Sequence, residues 1–204
     1  KVIELLREVT FDDLVYELSS KALQIVAYYE LDEYEVLISF LSSFNTRLVA
    51  GAEEPLYLPA RVDVPATIYF RFDYPSSALH EISHWCIAGN RRRLLEDYGY
   101  WYESDARDLE TQQKFEQVEV KPQAIECILH WAAGLPFRVS VDNLSLPEYD
   151  AQHFERAVMN QVKAYIDSGI PERACTFATL LLLKRQPDVV FNGFLKQQYE
   201  NYCR

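Results

Sequence analysis

Two histidines that lie four residues apart, in the segment HEISH at 80–84, constrain the local fold of this chain more than any other feature. On an α-helix that spacing places both imidazoles on one face, a single turn apart, so that both can bind the same cation. Ser76 and Ser77 can cap such a helix, and Gly89 with Asn90 can end it. We therefore predict a helix of about three turns that carries a metal-binding site.

The pattern HExxH is typical of metal-dependent enzymes, and we predict that His80 and His84 are ligands of one divalent ion. Glu81 lies between them, where it can act on a metal-bound water or hold a ligand from behind, and we predict it as the catalytic carboxylate. The zinc-peptidase variant with a third histidine requires glycine at position 87 and histidine at position 90. This chain has Ile87 and Asn90 there, which excludes that variant.

A third ligand must then come from a downstream carboxylate on a second helical pattern, over 111–134. Four polar side chains follow one another at helical spacing along it: Gln112, Glu116, Glu119 and Gln123. Such a stripe is typical of a solvated helix face. Pro122 interrupts the pattern, and we expect the helix to kink or restart there. Because a break beside Glu119 would redirect its side chain, we prefer Glu119 as the ligand, with Glu116 as the alternative.

The rest of the chain favours an α+β fold, mainly helical with a small β-sheet, in a single domain of 204 residues whose 49% hydrophobic content can fill one core. Helical periodicity extends over about 1–48, and the prolines and β-forming runs of 51–75 predict one or two short strands. FRVSV at 137–141 suggests another strand or a loop, and closing helices are expected at 147–166 and 172–185.

Composition restricts the partners and the compartment. A formal charge of -11 repels a phosphate backbone, so a direct nucleic-acid partner is not expected. The sequence contains neither a long apolar run nor a signal-peptide pattern, and its four cysteines form no CxxC pair. We therefore predict a cytoplasmic protein with reduced thiols and no membrane association.

Three segments, found in this order, resemble the elongation factor P hydroxylase family of bacteria: HEISHWCIAG at 80–89, GYWY at 99–102 and VEVKPQA at 118–124. The resemblance extends from about Phe44 to Glu172 and includes FNTRL, EPLYLPA, DNL and IPER.

The resemblance divides the chain into a helical N-terminal extension at 1–43, a catalytic core at 44–172 and C-terminal helices at 173–204. It implies a metallopeptidase-like active-site helix that serves a non-haem iron centre. The implied reaction is an O2-dependent hydroxylation of the lysine of elongation factor P that already carries a β-lysyl group.

His80 and His84 match the two histidines of that family, and Glu119 is the best match to its carboxylate, although the resemblance does not separate Glu119 from Glu116. Two histidines and one carboxylate leave about three positions of an octahedral Fe(II) free for oxygen and substrate. The same ligands on Zn(II) would make Glu81 the base of a peptidase. The ligand set alone does not choose, so an HExxH zinc metallopeptidase is the alternative, and a binding module without metal is a third, weaker class.

A β-lysyl-lysine side chain is cationic and extended, which suits carboxylates and aromatic ring faces. The aromatic run that begins at Tyr98 offers such a surface, and we predict that Tyr100, Tyr102 and Asp105 bind the substrate. Asp108 is a further candidate, and the competing interpretation is that these aromatic residues pack on the core.

The two remaining histidines give weaker signals. His130 lies in an apolar run and is expected to be a satisfied core histidine. His153 lies in a polar segment and is expected to be exposed.

Overall fold

The structure is a computed structural model that describes residue 38 and residues 41–52, 54–71, 75–99, 107–143 and 149–203. Most of the predicted N-terminal extension, 1–43, lies outside these residues. The predicted substrate-binding residues Tyr100, Tyr102 and Asp105 lie outside them as well.

A three-stranded sheet precedes the metal-binding motif, formed by β1 (Thr46–Ala52), β2 (Leu56–Leu58) and β3 (Ala66–Arg71). Its order is β1-β3-β2, with β1 parallel and β2 antiparallel to the central β3. The central strand buries Ile68 and Phe70, and a bulge at Gly51, where φ is 104°, shifts the register of β1.

The sheet is larger than predicted, because the helical periodicity was expected to continue to about residue 48. The structure places Thr46 in β1 instead, opposite Ala66 of β3. Strand formation depends on this pairing across 20 residues of sequence, which local periodicity does not report.

Five helices follow in the described part of the chain: α1 (Pro75–Ile87), α2 (Leu109–Ala133), α3 (Gln152–Ser168), α4 (Glu172–Arg185) and α5 (Phe191–Tyr202). The prediction of a mainly helical α+β fold is confirmed. α2 packs against α1, α3 and α4, and α1 also contacts β3. The long α2 is therefore the central element on which the other helices assemble.

Most of the helix limits agree with the prediction. α4 has the predicted limits of 172–185, whereas α3 begins at Gln152, five residues after the predicted start, and ends at Ser168, two residues after the predicted end. The segment 137–141 is neither helix nor strand, in agreement with the loop alternative. Ser76 and Ser77 were predicted to cap α1, but both lie inside it, since the helix begins at Pro75. The fixed φ of proline suits the first turn of a helix.

α2 has clear signals at both ends. The carboxylate of Asp108 accepts a hydrogen bond from the Thr111 N–H at 2.8 Å, so this residue is a helix cap. Gly134 ends the helix with φ 74°. Of the two outcomes expected at Pro122, the restart is wrong, since α2 is continuous through that residue. α2 packs on three helices, which support it around Pro122. Because proline has no N–H, the Val118 carbonyl has no helical donor. Val118 is 46% exposed, so water can reach this turn of the helix.

The polar stripe of α2 is buried, so its interpretation as a solvated face is wrong. None of its four side chains is more than 4% exposed: Gln112, Glu116, Glu119 and Gln123. Glu126 and His130 continue the stripe along the same helix face and are 7% and 2% exposed. Buried polar groups require partners, and the irregular segment 135–143 supplies several of them. Gln123, for example, donates to the Ser140 carbonyl at 2.8 Å and accepts from the Ser140 N–H at 2.9 Å.

The C-terminal end of α1 is fastened to α4 by Arg173. Its guanidinium donates a hydrogen bond to the Cys86 carbonyl at 2.9 Å and lies over the Trp85 ring, 4.7 Å from its centroid. The positive charge also suits the negative end of the α1 dipole. These contacts hold α1, which carries His80 and His84, in place from its far end.

Among the described helices, none combines the length and the apolar character that a membrane crossing would require. The four cysteines, Cys86, Cys127, Cys175 and Cys203, are free thiols.

Candidate metal centre

Two helices bring three potential metal ligands together. His80 and His84 lie one turn apart on α1, with their Nε2 atoms 3.2 Å from each other. Glu119, from the middle of α2, places Oε1 3.3 Å from His84 Nε2 and Oε2 3.8 Å from His80 Nε2. One donor atom from each residue lies within 4.8 Å of the other two. In the described part of the chain, no other group of three such side chains meets this condition.

The donor set fits a divalent cation. Glu119 is 1% exposed, and its Oε2 atom has no hydrogen-bond partner among the described residues. A buried carboxylate oxygen without a partner is costly, and a cation between the three side chains would satisfy it. The two Nε2 atoms also face each other at 3.2 Å, where a proton or a metal must separate their lone pairs.

The charges of the centre are strongly coupled when no metal is bound. Burial acts to raise the pKa of Glu119, but the positive charges of His84 and His80 outweigh it and lower that pKa to about 2. Burial likewise acts to lower the pKa of His80, yet the carboxylates of Glu126, Glu119 and Glu81 raise it to about 10. The metal-free site therefore favours an ionised carboxylate facing protonated imidazole, and a metal ion would take the place of the positive charge that this proton supplies.

Glu126 holds His80 from behind and was missed by the sequence analysis. Its Oε2 lies 2.8 Å from His80 Nδ1, so the imidazole can donate its proton there and keep Nε2 free for a metal. Glu126 follows Glu119 by seven residues, two helical turns on the same face. That spacing was a usable signal, although the apolar residues around Glu126 concealed it.

The structure separates the two carboxylates proposed for the third position. The Oε2 atom of Glu116 lies 2.8 Å from His153 Nε2, and its Oε1 accepts from Gln112 at 3.3 Å. Glu116 is therefore engaged away from the histidine pair, and only Glu119 joins the cluster.

The other two histidines lie where they were expected. The His153 side chain is 52% exposed. His130 is 2% exposed, with Nδ1 2.9 Å from the Glu126 carbonyl and Nε2 2.9 Å from the Ser76 hydroxyl. His130 is thus a satisfied core histidine that connects α2 to α1.

Glu81 is half-buried on α1, immediately after His80. Burial raises the pKa of its carboxyl, while the positive charges of His80 and His84 oppose that rise. These charges act on Glu81 because it lies beside the cluster. Its catalytic role stays a prediction.

Of the predicted aromatic surface, the structure describes the first residue, Tyr98. Its ring stacks on the Tyr57 ring with centroids 4.2 Å apart and lies nearly parallel to the His84 ring, with centroids 6.3 Å apart. One aromatic side chain therefore packs against the sheet and also adjoins the metal centre.

Two imidazole nitrogens and one carboxylate are a ligand set that both iron(II) and zinc accept. The cluster thus supports metal-dependent chemistry without choosing the ion.

Comparison with known proteins supplies the family. A model of the family described as elongation factor P hydroxylase matches residues 37–189, which is most of the chain. The chain is also 54% identical over 144 residues to the elongation factor P lysine hydroxylase of Haemophilus influenzae, an alignment that covers 70% of this chain and 81% of that protein. The resemblance read from the three sequence segments is confirmed, and the chain belongs to the elongation factor P hydroxylase family.

Proposed function

We propose that this protein is a lysine hydroxylase that acts on the β-lysyl-modified lysine of elongation factor P, with Fe(II) held by His80, His84 and Glu119. The observation that carries the proposal is the buried cluster of two histidines and one carboxylate. It occurs in a chain that is 54% identical, over 144 residues, to a protein named elongation factor P lysine hydroxylase.

The reaction class supports iron over zinc. Hydroxylation oxidises a C–H bond, and zinc has no redox chemistry of its own. Two histidines and one carboxylate with open positions are the ligand set of non-haem iron oxygenases. When bound, Fe(II) would supply the activation of O2. The incoming electrons must come from a reductant, because the second oxygen atom leaves as water.

The residues of the chain would prepare the site for this chemistry. Glu119 offers an ionised carboxylate, since its pKa is lowered to about 2. Glu126 accepts the Nδ1 proton of His80, which directs the Nε2 lone pair toward the ion. Glu81 would orient a bound group beside the histidines. Burial of His84 and Glu119 excludes bulk water from this side of the centre.

Charge supports the proposed substrate. The chain has a formal charge of -11, whereas a β-lysyl-lysine side chain carries ammonium groups, so long-range attraction favours their encounter. Tyr100, Tyr102 and Asp105 stay the proposed substrate-binding residues. O2 is the second substrate, and neither nucleic acid nor a membrane takes part.

The decisive experiment starts with anaerobic purification and measurement of the bound metal. The protein is then incubated with β-lysylated elongation factor P, O2 and a reductant, and the mass of the factor is measured. We expect iron in the protein and a gain of one oxygen atom on the factor, lost in His80→Ala but retained in His153→Ala, the matched control outside the cluster. Zinc in the site together with peptide cleavage, abolished in Glu81→Gln, would contradict the proposal and support a zinc metallopeptidase.

The third ligand has its own test. Glu119→Ala should empty the site, because it removes the only carboxylate near both Nε2 atoms among the described residues, while Glu116→Ala should leave it filled. Metal content after dialysis against excess Fe(II) distinguishes them. The reverse pattern would show that Glu116 is the ligand.

A further inference from the structure

The segment that follows α1 carries a group of exposed basic and apolar side chains. Its sequence is RRRLL at 91–95, the only run of three consecutive basic residues in a chain whose formal charge is -11. Arg91 is exposed, Leu94 is 72% exposed and Leu95 is 51% exposed. Single exposed apolar residues are common, whereas two adjacent leucines beside an exposed arginine form a patch. We call these three side chains the Arg–Leu patch.

Hydrogen bonds give the patch a fixed backbone. Residues Arg92–Leu94 form a short 3-10 helix. The Leu94 N–H donates to the Arg91 carbonyl at 3.2 Å, and the Leu95 N–H donates to the Arg92 carbonyl at 3.0 Å. Side chains three residues apart lie on the same side of a 3-10 helix. Arg91 and Leu94 therefore share one exposed face.

The three arginines of the segment differ in their contacts. Arg92 donates from Nε to the Tyr98 carbonyl at 2.8 Å, and Arg93 donates to the side-chain oxygen of Asn90 at 2.6 Å. The guanidinium of Arg91 has neither a hydrogen bond nor an ion pair with any described residue. Its positive charge is therefore available to a partner molecule.

The inner side of the same segment packs toward the metal centre. The Tyr57 hydroxyl donates to the Arg93 carbonyl at 2.9 Å, and the Tyr98 N–H donates to the Leu95 carbonyl at 3.2 Å. The Tyr98 ring stacks on the Tyr57 ring and lies 6.3 Å, centroid to centroid, from the ring of His84. The Arg–Leu patch is thus the outer side of a layer whose inner side adjoins a potential metal ligand.

The turn after the patch is fastened to the sheet. The Asp97 carboxylate accepts a hydrogen bond from the Tyr57 N–H of β2 at 2.7 Å. The patch is therefore held on one side by α1 and on the other by β2. A surface that is fixed before binding loses little conformational freedom when a partner covers it.

The proposed reaction requires such a surface near the centre. The modified lysine projects from elongation factor P, so the body of that protein must lie against the surroundings of the centre when the side chain enters it. The ammonium groups of the side chain are attracted by the acidic chain as a whole, whereas an unpaired guanidinium attracts carboxylates. Opposite charges at two points of one interface fix the orientation of the partner.

We propose that the Arg–Leu patch binds the body of elongation factor P, through a carboxylate that pairs with Arg91 and an apolar side chain that covers Leu94 and Leu95. Arginine is enriched in protein interfaces, and exposed apolar patches mark them. Glu96 is exposed next to the patch, so the attraction is local and acts at short range. The identity of the partner rests on the proposed function, but the docking does not depend on iron, on O2 or on the hydroxylation step.

The test measures, by calorimetry without O2, the binding of β-lysylated elongation factor P to the full chain. Arg91→Glu and Leu94→Ser should each weaken binding at least about threefold, because one removes a charge pair and the other an apolar contact. Added salt should diminish the effect of Arg91→Glu but not that of Leu94→Ser. The metal content and the thermal midpoint should stay those of the wild type, because both side chains are exposed.

Two matched controls lie on other elements. Lys196→Glu reverses an exposed charge on α5 in the same way, and Leu183→Ser removes a leucine that is 44% exposed on α4. Both should bind the factor as tightly as the wild type.

Three results would overturn the proposal: wild-type affinity in both patch variants, equal weakening in the patch variants and the controls, or no binding of the factor by the wild type. Hydroxylation by the wild type is measured separately. Binding that depends on the patch without any gain of oxygen would contradict the proposed function and leave the docking surface standing.

Discussion

Glu126 contacts His80 from the side opposite the cluster of potential metal ligands, without belonging to that cluster. It lies on α2 seven residues after Glu119, and its carboxylate contacts the nitrogen of His80 that would not bind the metal. A carboxylate in this position fixes the tautomer of a ligating histidine and increases its basicity. The candidate metal site thus consists of a cluster of three potential donors and a fourth carboxylate, whose charge acts on the protonation of His80.

Metal affinity should rise with pH. In the metal-free protein the pKa of His80 is raised to about 10, so at neutral pH the imidazole carries a proton that metal binding must displace. Each unit of pH below about 10 should therefore change the affinity by up to about tenfold, with weaker binding at lower pH. Calorimetry in buffers of different ionisation enthalpy should detect release of about one proton at pH 7. Binding without proton release would contradict the raised pKa.

Glu126→Gln should flatten that pH dependence. Glutamine keeps the size of the side chain and can still accept a hydrogen bond, but it removes the charge that acts most strongly to hold the proton on His80. We expect fewer than one proton released at pH 7 by the same calorimetric method. Glu110→Gln, on the exposed first turn of α2, is the control and should release as many protons as the wild type. An unchanged count in Glu126→Gln would mean that other charges protonate His80.

At the scale of elements, α2 determines where the functional side chains lie. The helix begins at the Asp108 cap, ends at Gly134 and buries a polar stripe along its length. Its C-terminal end is fixed by the Arg185 guanidinium, which donates to the Ala132 carbonyl at 3.1 Å. Loss of the contacts that fix either end of α2 would therefore shift Glu119 relative to α1.

Gly134→Ala should destabilise the protein by about 1–3 kcal/mol, because φ is 74° there and an added Cβ would overlap the Arg185 guanidinium. Gly193→Ala is the matched control: this glycine lies within α5, and nothing comes within 4 Å of an added Cβ. Replacing a helical glycine with alanine should stabilise by up to about 1 kcal/mol. Urea denaturation measures both changes, and equal effects of the two substitutions would contradict this account of the α2 terminus.

For the whole molecule, the metal would act as a cross-link between two helices. α1 supplies two donors and α2 the third, so an ion bound only by the folded chain adds its binding free energy to folding stability. The same ion would give the Glu119 Oε2 atom, which has no partner among the described residues, a positive charge to bind, and it would separate the lone pairs of the two facing Nε2 atoms.

Free metal at one hundred times its dissociation constant should raise the free energy of unfolding by about 2.7 kcal/mol. Chelation should reverse the gain, and His84→Ala should abolish it, as followed by thermal or urea denaturation. If His84→Ala were stabilised as much as the wild type, the ion would have to bind elsewhere on the chain.

What the sequence determined by itself is local. A spacing of four residues puts His80 and His84 on one helix face, and the limits of α4 follow from helical periodicity. The family was also recognisable from three short segments. These properties depend on neighbours within one or two turns, so the sequence contains all the information that they require.

Only the tertiary structure decided which polar side chains of α2 meet those histidines. The sequence analysis preferred Glu119 because of an expected break at Pro122 and kept Glu116 as the alternative, but helical spacing itself did not separate them. Packing of α2 on α1 aims Glu119 at His84, and the contact with His153 engages Glu116 from 37 residues away. Glu126 meets His80 across 46 residues. Contacts at such separations follow from how elements pack, which periodicity does not encode. The histidine pair was thus determined by the sequence, and its surroundings by the fold.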